Sequence, residues 1–362
     1  MVFALHHTQL LLLLPLPVLA LYSRMQEAVT KSNSGLNVSI DLCKVLTGTI
    51  HGATKHKVLH LLAFSGYPKV KCIIFIIVLL MYLLGILGNV LVGIIVCHTP
   101  HLHTPMYFFL ANLTILDIVY VSVILPKLLA ITITGDTGIS YPGCITQIFF
   151  YVFSIGTEFF VLTSMAYDRY VAICIPLLYN VIMNRRTCVI LAILCCTFGT
   201  FNSLMYALLI SQLLFPISSA INHFFCHMKS VLRISCNDST RIGVLITVDG
   251  IVLGFVTFIL ILTSYMYIIS TILKIHTSSG RFKAFSSCSS HIIIVVLFCL
   301  TSLTLNMKPE MASSQEQDKI LSMVYIAVVP MLNPLVYSLR NKDVLKAINE
   351  VISKTKNKIC AN

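Results

Sequence analysis

The chain has 362 residues, of which 57% are hydrophobic and only 10% charged, with a mean hydropathy of +0.91. Soluble domains carry about a quarter of their residues as Asp, Glu, Lys or Arg, so a water-soluble globular protein is excluded and lipid must be one of the solvents. The net charge of +12 then suits an anionic inner leaflet, and nucleic acid is not an expected partner.

In chain order, the front end comes first. "LLLLLPLPVLALYS" (10–23) is an apolar run too short to span a membrane and broken by Pro15 and Pro17. Two readings of residues 1–24 stand. One is a signal peptide cut near Ala20 or Ser23, although His6 and His7 occupy the place where Lys or Arg is usual. The other is an unstructured extension, with Met25 as an alternative start. Residues 25–71 read as an extracellular tail, in which Asn37-Val38-Ser39 is a glycosylation sequon. A second sequon, Asn237-Asp238-Ser239, follows the fourth apolar stretch.

Seven apolar stretches occupy 72–97, 104–130, 143–173, 188–209, 242–273, 291–306 and 320–339. All but the sixth reach the about 17–25 residues that a helix needs to cross the hydrocarbon. The sixth becomes long enough if it extends back through Ala284 to Ser290. The stretches are too long for strands and lack the alternation of a barrel, whereas helices satisfy their own backbone groups in lipid. The expectation is an all-α membrane protein: a seven-transmembrane helix bundle over 72–340, with a short amphipathic helix after the seventh span. That helix is predicted in 341–362, where Val344, Leu345, Ile348, Val351 and Ile352 form a stripe with lysines opposite. Cys360 is a lone candidate for palmitoylation. Basic residues gather after the third span (Arg185, Arg186), between the fifth and sixth (Lys274, Arg281, Lys283) and after the seventh (Arg340, Lys342, Lys346). By the positive-inside rule these segments face the cytoplasm and the N-terminus lies outside. The protein is therefore expected to be multi-pass in the plasma membrane.

Polar groups inside the spans carry the functional signal. Asn89, Asp117, Glu158 and Asn333 sit at membrane depth and should face inward and find one another. Two carboxylates in a low dielectric repel, so either one is protonated within a hydrogen-bonded network or a cation sits between them. Pro334 permits a kink. Asp249, in the outer half of the fifth span, needs a partner, which is a ligand amine or strong hydrogen-bond donor, a nearby polar side chain, or loop water. Asp168 and Arg169 end the third span. They are either a topology anchor at the membrane edge or a charge pair with a job. The 13 cysteines lie mostly inside spans, as small apolar groups. No HExxH, nucleophile elbow or Gly-rich phosphate loop is present, so no enzyme is expected. A cation transporter or channel would suit intramembrane acids, but internal repeats and paired broken helices are missing.

Four motifs in order carry a resemblance: "LHTPMYFFLANLTILD" (102–117), "MAYDRYVAICIPLLYN" (165–180), "KAFSSCSSH" (283–291) and "PMLNPLVYSLRNKDV" (330–344). Over residues 59–352 the chain resembles the olfactory receptors, a branch of the rhodopsin-like G-protein-coupled receptors. The resemblance implies an odorant receptor. It would bind a small hydrophobic, volatile molecule in the bundle and activate a stimulatory olfactory-type heterotrimeric G protein to raise cyclic AMP. A non-olfactory receptor for a small metabolite is the alternative within the same fold. The resemblance places the switch at Asp168, Arg169 and Tyr170, with Tyr265, Asn333, Pro334 and Tyr337 in supporting roles. It implies a Cys144–Cys226 disulfide and a sodium site at Asp117 and Glu158, with no other cofactor. It points to a pocket at Tyr151, Val152, Ile155, Gly156, Asp249, Leu253, Ser302 and Asn306. "HFFCH" (223–227) resembles a metal site of the family, but a disulfide at Cys226 removes the thiolate it needs.

The chain departs from the family pattern in three places. Cys195 and Cys196 stand where a tryptophan is usual in the fourth span. Cys299 replaces a tyrosine at the base of the pocket, with less bulk and a weaker hydrogen bond. Pro216 occupies the position of Cys236's usual partner, so Cys236 is expected free or mispaired. These departures bear on signalling more than on the fold.

Overall fold

The computed structural model describes residues 58–64, 71–216, 219–236, 239–307, 315–340 and 344–347. Six long helices are unbroken: α1 (Lys71–His98), α2 (Pro105–Thr134), α3 (Tyr141–Cys174), α4 (Arg185–Ser211), α5 (Thr240–Leu273) and α6 (Ser278–Met307). The seventh, α7, runs through Gln315–Met323, a π-helical turn Val324–Val328, and Val329–Arg340. The helices α1 to α5, and Glu316–Val336 of α7, are long and apolar enough to cross a membrane. With α6 they make the expected seven-helix bundle. The sixth helix begins at Ser278, a full three turns before the apolar stretch that announced it. Its first turns, "SSGRFKAFSSCSS", are polar, and hydropathy does not mark a helix that continues past the lipid.

Local signals set the helix ends. Pro105 opens α2, where its missing N–H is harmless. Gly135 closes α2 at φ 75°, with its N–H donating to the Ile131 carbonyl. Ser140 caps α3 by accepting from the Gly143 N–H, and Asn184 caps α4 by accepting from Thr187.

The central helix is α3, which packs on α2, α4, α5 and α6. Two-thirds (67%) of its apolar window is buried within the protein, against 17% for α1 and 22% for α5. Hydropathy alone would rank these helices in the opposite order, because lipid-facing helices are the most apolar. Leu80, Leu84, Leu87 and Leu91 of α1, and Val248, Val252 and Phe255 of α5, present an exposed apolar surface of the kind lipid covers.

One end of the bundle carries a small sheet that the sequence did not announce. Strand β1 (Val58–Leu61) lies between β2 (Gly138–Ser140), which precedes α3, and β3 (Ser219–Ile221), in the connection from α4 to α5. It pairs antiparallel with β2 and parallel with β3. Three or four residues give too short an alternation to read, yet Leu59, Leu61 and Ile221 are fully buried. The backbone beyond β1 continues the pairing, as the Leu62 and Ala63 amides donate to the Ile221 and His223 carbonyls. Lys319 at the start of α7 is buried, donating to the Ala63 carbonyl (2.7 Å) and to Glu316 (2.9 Å). The segment read as an outer tail is thus stitched to three parts of the bundle.

Cysteines 144 and 226 form the expected disulfide at this end. Cys236, expected free or mispaired because Pro216 stands where its usual partner would be, is disulfide-bonded, which leaves the second alternative. Losing one partner position does not free a thiol if another can reach it. Beyond Arg340, residues 344–347 form a helical turn with Val344 and Ala347 buried. The rest of the expected amphipathic helix, Cys360, residues 1–24 and the sequons at Asn37 and Asn237 lie outside the described residues.

Helices α3 and α4 come close together at two glycines. A Cβ on Gly199 would lie 3.2 Å from Thr157 Cβ and 3.1 Å from the Phe153 carbonyl oxygen, and Gly156 faces Gly199. The nearest atom is the Thr157 hydroxyl oxygen, which can turn away, but Thr157 Cβ and the backbone carbonyl cannot. We expect Gly199→Leu to lose most surface display, whereas Gly85→Leu, where a Cβ meets nothing within 4 Å, retains it. Flow cytometry of tagged protein on intact cells checks both.

Candidate functional site

Three buried polar zones follow one another down α3. The first lies under the sheet and the disulfide. Cys144 opens α3, and its bond to Cys226 draws the α4–α5 connection across the end of the bundle. Gln147 fixes it there, accepting from the Cys226 amide (2.8 Å) and donating to the Val123 carbonyl of α2 (2.9 Å). Phe224 and Phe225 are fully buried beneath, with Phe225 against Tyr151 at 5.0 Å between ring centroids.

Below this cover is a cavity of about 90 Å³. Six expected pocket residues line it: Tyr151, Val152, Ile155 and Gly156 from α3, and Asp249 and Leu253 from α5. The other two, Ser302 and Asn306, belong to α6, and their side chains lie outside the described ones. Asp249 has protein partners. Tyr206 OH (2.9 Å) and Asn202 Nδ2 (3.1 Å), both on α4, donate to the same oxygen, Oδ2. Asn202 and Tyr206 also line the cavity, with Phe159, His227, Lys229 and Tyr325. Sequence reasoning passed over them. An Asn and a Tyr four apart share one face of a helix, and that spacing in an otherwise apolar stretch was the available signal.

The second zone is the intramembrane acids. Asn333 Nδ2 donates to Asp117 Oδ2 at 2.9 Å, joining α7 to α2, and both residues are buried. Glu158 is buried one helix away, within reach of Asn333 and of the charge on Asp117. Its Oε1 has no hydrogen-bond partner among the described residues, nor have Ser154 Oγ and Thr157 Oγ1 near it on α3. Asn89 joins α1 to α7 by donating to the Pro330 carbonyl at 3.0 Å.

The third zone is at the far end of α3. Asp168 is fully buried, and the expected charge pair is closed: Arg169 donates to Asp168 Oδ2 through Nε (2.9 Å) and a terminal nitrogen. Tyr179, in the helical turn Tyr179–Ile182, donates to the other oxygen at 2.8 Å. This third partner was not foreseen. Tyr170 packs edge-on against Tyr267 of α5, at 5.9 Å between ring centroids. Tyr265 is held by His291 of α6, whose Nε2 bonds the Leu162 carbonyl of α3 at 3.1 Å. A carbonyl only accepts, so Nε2 carries the proton and Nδ1 accepts from the Tyr265 hydroxyl. Pro334 is buried in α7. Tyr337 is on α7 with its side chain outside the described ones.

The sequence matches the olfactory receptor family over residues 78–355, a range that includes all three zones. The chain belongs to the olfactory receptor family. It is 44% identical to human olfactory receptor 13F1 over 299 residues, covering 83% of this chain and 94% of that one. Human olfactory receptor 7G3 is 42% identical over 81% of this chain and 94% of its own length. Mouse olfactory receptor 1E16 is 41% identical over 80% and 92%. The departures from the family pattern sit in packed surroundings. Cys299 is 3% exposed, and Cys195 is buried with its sulfur 3.7 Å from Ser164 Oγ.

The thiol that the "HFFCH" segment would offer to a metal is not free. Cys226 is in the disulfide, and no cluster of three or more His, Cys, Asp or Glu able to hold an ion occurs among the described residues. His223 is buried with neither ring nitrogen hydrogen-bonded, and His227 stacks on it at 5.0 Å. Burial, and secondarily the cation of Lys229, hold His227 down at about 4, with Asp318 opposing and Arg233 adding to the shift. Burial, His227 and Lys319 hold His223 well below the usual histidine range. Both rings are therefore neutral at pH 7 in the folded receptor. An unfolded His protonates near 6.5, so stability is complete above that pH and falls as the pH drops from 6.5 toward 4. We expect the unfolding temperature of purified receptor to fall over this window, with a smaller fall in His227→Gln, measured by thermal-shift fluorescence.

Proposed function

We propose that this receptor binds a small volatile organic molecule in the cavity beneath the disulfide-tied loop, with its N-terminus outside the cell. Binding is passed to the Asp168–Arg169 end of the bundle, where a stimulatory olfactory-type G protein engages and cyclic AMP rises. The observation that carries the reading is the convergence of six residues, expected from the resemblance, on one largely apolar cavity. Its small volume favours ligands of few heavy atoms. The reading is of a receptor and not of an enzyme.

Asp249 gives the cavity its polar end. Both protein donors take Oδ2, so an amine or strong hydrogen-bond donor in the ligand would take Oδ1. Asp117 and Glu158 would hold a sodium ion in the resting receptor. The unpartnered oxygens of Glu158 and Ser154, one turn apart on α3, are the hard ligands such a cation takes.

At the opposite end, Arg169 and Tyr179 together satisfy both oxygens of Asp168. This closed triad fits the resting state, and opening it exposes Arg169 to the G protein. A hydrogen bond to a charged group contributes about 1.5–3 kcal/mol. Tyr179→Phe should therefore raise basal cyclic AMP several-fold, and Arg169→Ala should abolish the response.

The deciding experiment is a cyclic AMP assay in cells carrying an olfactory G protein, with surface display measured in parallel and an odorant panel that includes amines. A response lost in Arg169→Ala supports the reading, and selective loss of amine responses in Asp249→Asn supports the carboxylate's role. Full display with no basal or evoked signal overturns the signalling function. Unchanged responses to every agonist in Asp249→Asn remove that residue from recognition.

A further inference from the structure

Between the cavity and the Asp117–Asn333 pair lies a layer of buried polar atoms that nothing satisfies. Among the described residues, the hydroxyls of Tyr120 on α2 and Tyr325 on α7, and Oε1 of Glu158 on α3, are each buried without a hydrogen-bond partner. Two donors and an acceptor left unpaired in a low-dielectric interior are costly. Both tyrosines lie within electrostatic reach of Glu158 and Asp117.

Tyr325 has a second face. It lines the cavity, and its ring packs on Tyr120 (5.9 Å) and on Phe298 of α6 (5.5 Å). Phe298 in turn meets Phe159, another cavity wall, at 4.6 Å. The residue after Phe298 is Cys299, where the family's tyrosine is missing. Tyr325 also sits in the π-helical turn Val324–Val328. Such a turn carries an extra residue and can shift without unfolding the helix, and it is frequent at functional sites.

We infer that Tyr325 couples ligand to the intramembrane acids in this chain: a ligand pressing its ring brings the hydroxyl onto Glu158 Oε1, to which it donates. The contact is latent in the described conformation; when it forms it gives the Tyr325 hydroxyl a partner and takes the Glu158 oxygen that the proposed resting-state sodium ion would otherwise hold. A thiol at 299, being a weak donor, cannot replace it. The inference rests on the reading that the ligand occupies the cavity.

The test uses the full receptor in cells, with Tyr325→Phe, Glu158→Leu and the double variant, surface display measured for each, and full agonist concentration–response curves. Tyr325→Phe keeps the ring and should display like the wild type. Its potency or maximal response should fall on the order of ten-fold, as expected for a lost hydrogen bond to a carboxylate. In the Glu158→Leu background the same substitution should add nothing, a non-additivity that loss of packing alone does not produce. Identical curves for wild type and Tyr325→Phe, or additive effects, overturn the inference. If the wild type displays but never responds, the receptor reading fails separately, and thermal unfolding of purified protein without agonist decides. An unchanged or raised unfolding temperature in Tyr325→Phe supports a hydroxyl unpartnered at rest, since removing an unpaired buried donor relieves a cost, and a fall of several degrees overturns the latent contact.

Discussion

The hydrogen bond from Asn89 to the carbonyl of Pro330 is the joint on which the bundle closes. Pro334 has no N–H, so the carbonyl four residues earlier, that of Pro330, has no donor within the helix. In lipid no water can take its place, and an unsatisfied backbone group costs several kcal/mol. Asn89 supplies the donor from α1 at 3.0 Å. Gly88 makes the approach feasible, since a Cβ there would stand 2.8 Å from Pro334 Cγ. With α7 seated against α1, Asn333 is turned to Asp117 on α2. Three helices are thereby registered by two amide side chains, a proline and a glycine.

The functional chemistry is strung along α3. Tyr151, Ile155, Glu158 and Leu162 follow the four- and three-residue steps of one helix face. The first two line the cavity, the third belongs to the acid zone, and the carbonyl of the fourth holds His291 and through it Tyr265. Asp168 lies at the end of the same helix. One end of α3 is fixed by the disulfide and Gln147, the other by Tyr179 of the following turn, which donates to Asp168. A helix so held at both ends keeps these groups at constant spacing, whatever its neighbours do.

Much of this was legible in the chain. Seven apolar stretches, four ordered motifs and the isolated polar residues within them announced the bundle, an inward polar group that includes Asn333 and Asp117, and six residues of the cavity wall. What escaped notice shares a physical character. The three-strand sheet depends on backbone pairing between distant segments, Val58 with Ser140 and Leu59 with Ser219, with too few residues in each strand to show a period. Asn202, Tyr206 and Tyr179 act as partners of recognised carboxylates, and a partner has no signature until its carboxylate is placed beside it. With Pro216 at the usual partner's position the chain leaves Cys236 free or mispaired, and only folding decides that it is bonded.

The amino-acid sequence by itself determined the solvent and the secondary structure. A composition this apolar belongs in lipid, and in lipid a spanning segment of this length must satisfy its backbone as a helix. It also determined that the charges at Asp117, Glu158, Asp168 and Asp249 had to be answered by something. Only the tertiary structure decided by what. Asp168 found Arg169 and Tyr179, Asp249 found Asn202 and Tyr206, and Asp117 found Asn333, while Glu158 Oε1 and the Tyr325 hydroxyl have no partner among the described residues. The reason is that hydrogen bonds are short and directional. Hydrophobicity is read one residue at a time, but a hydrogen bond exists only where packing brings two distant residues within about 3 Å.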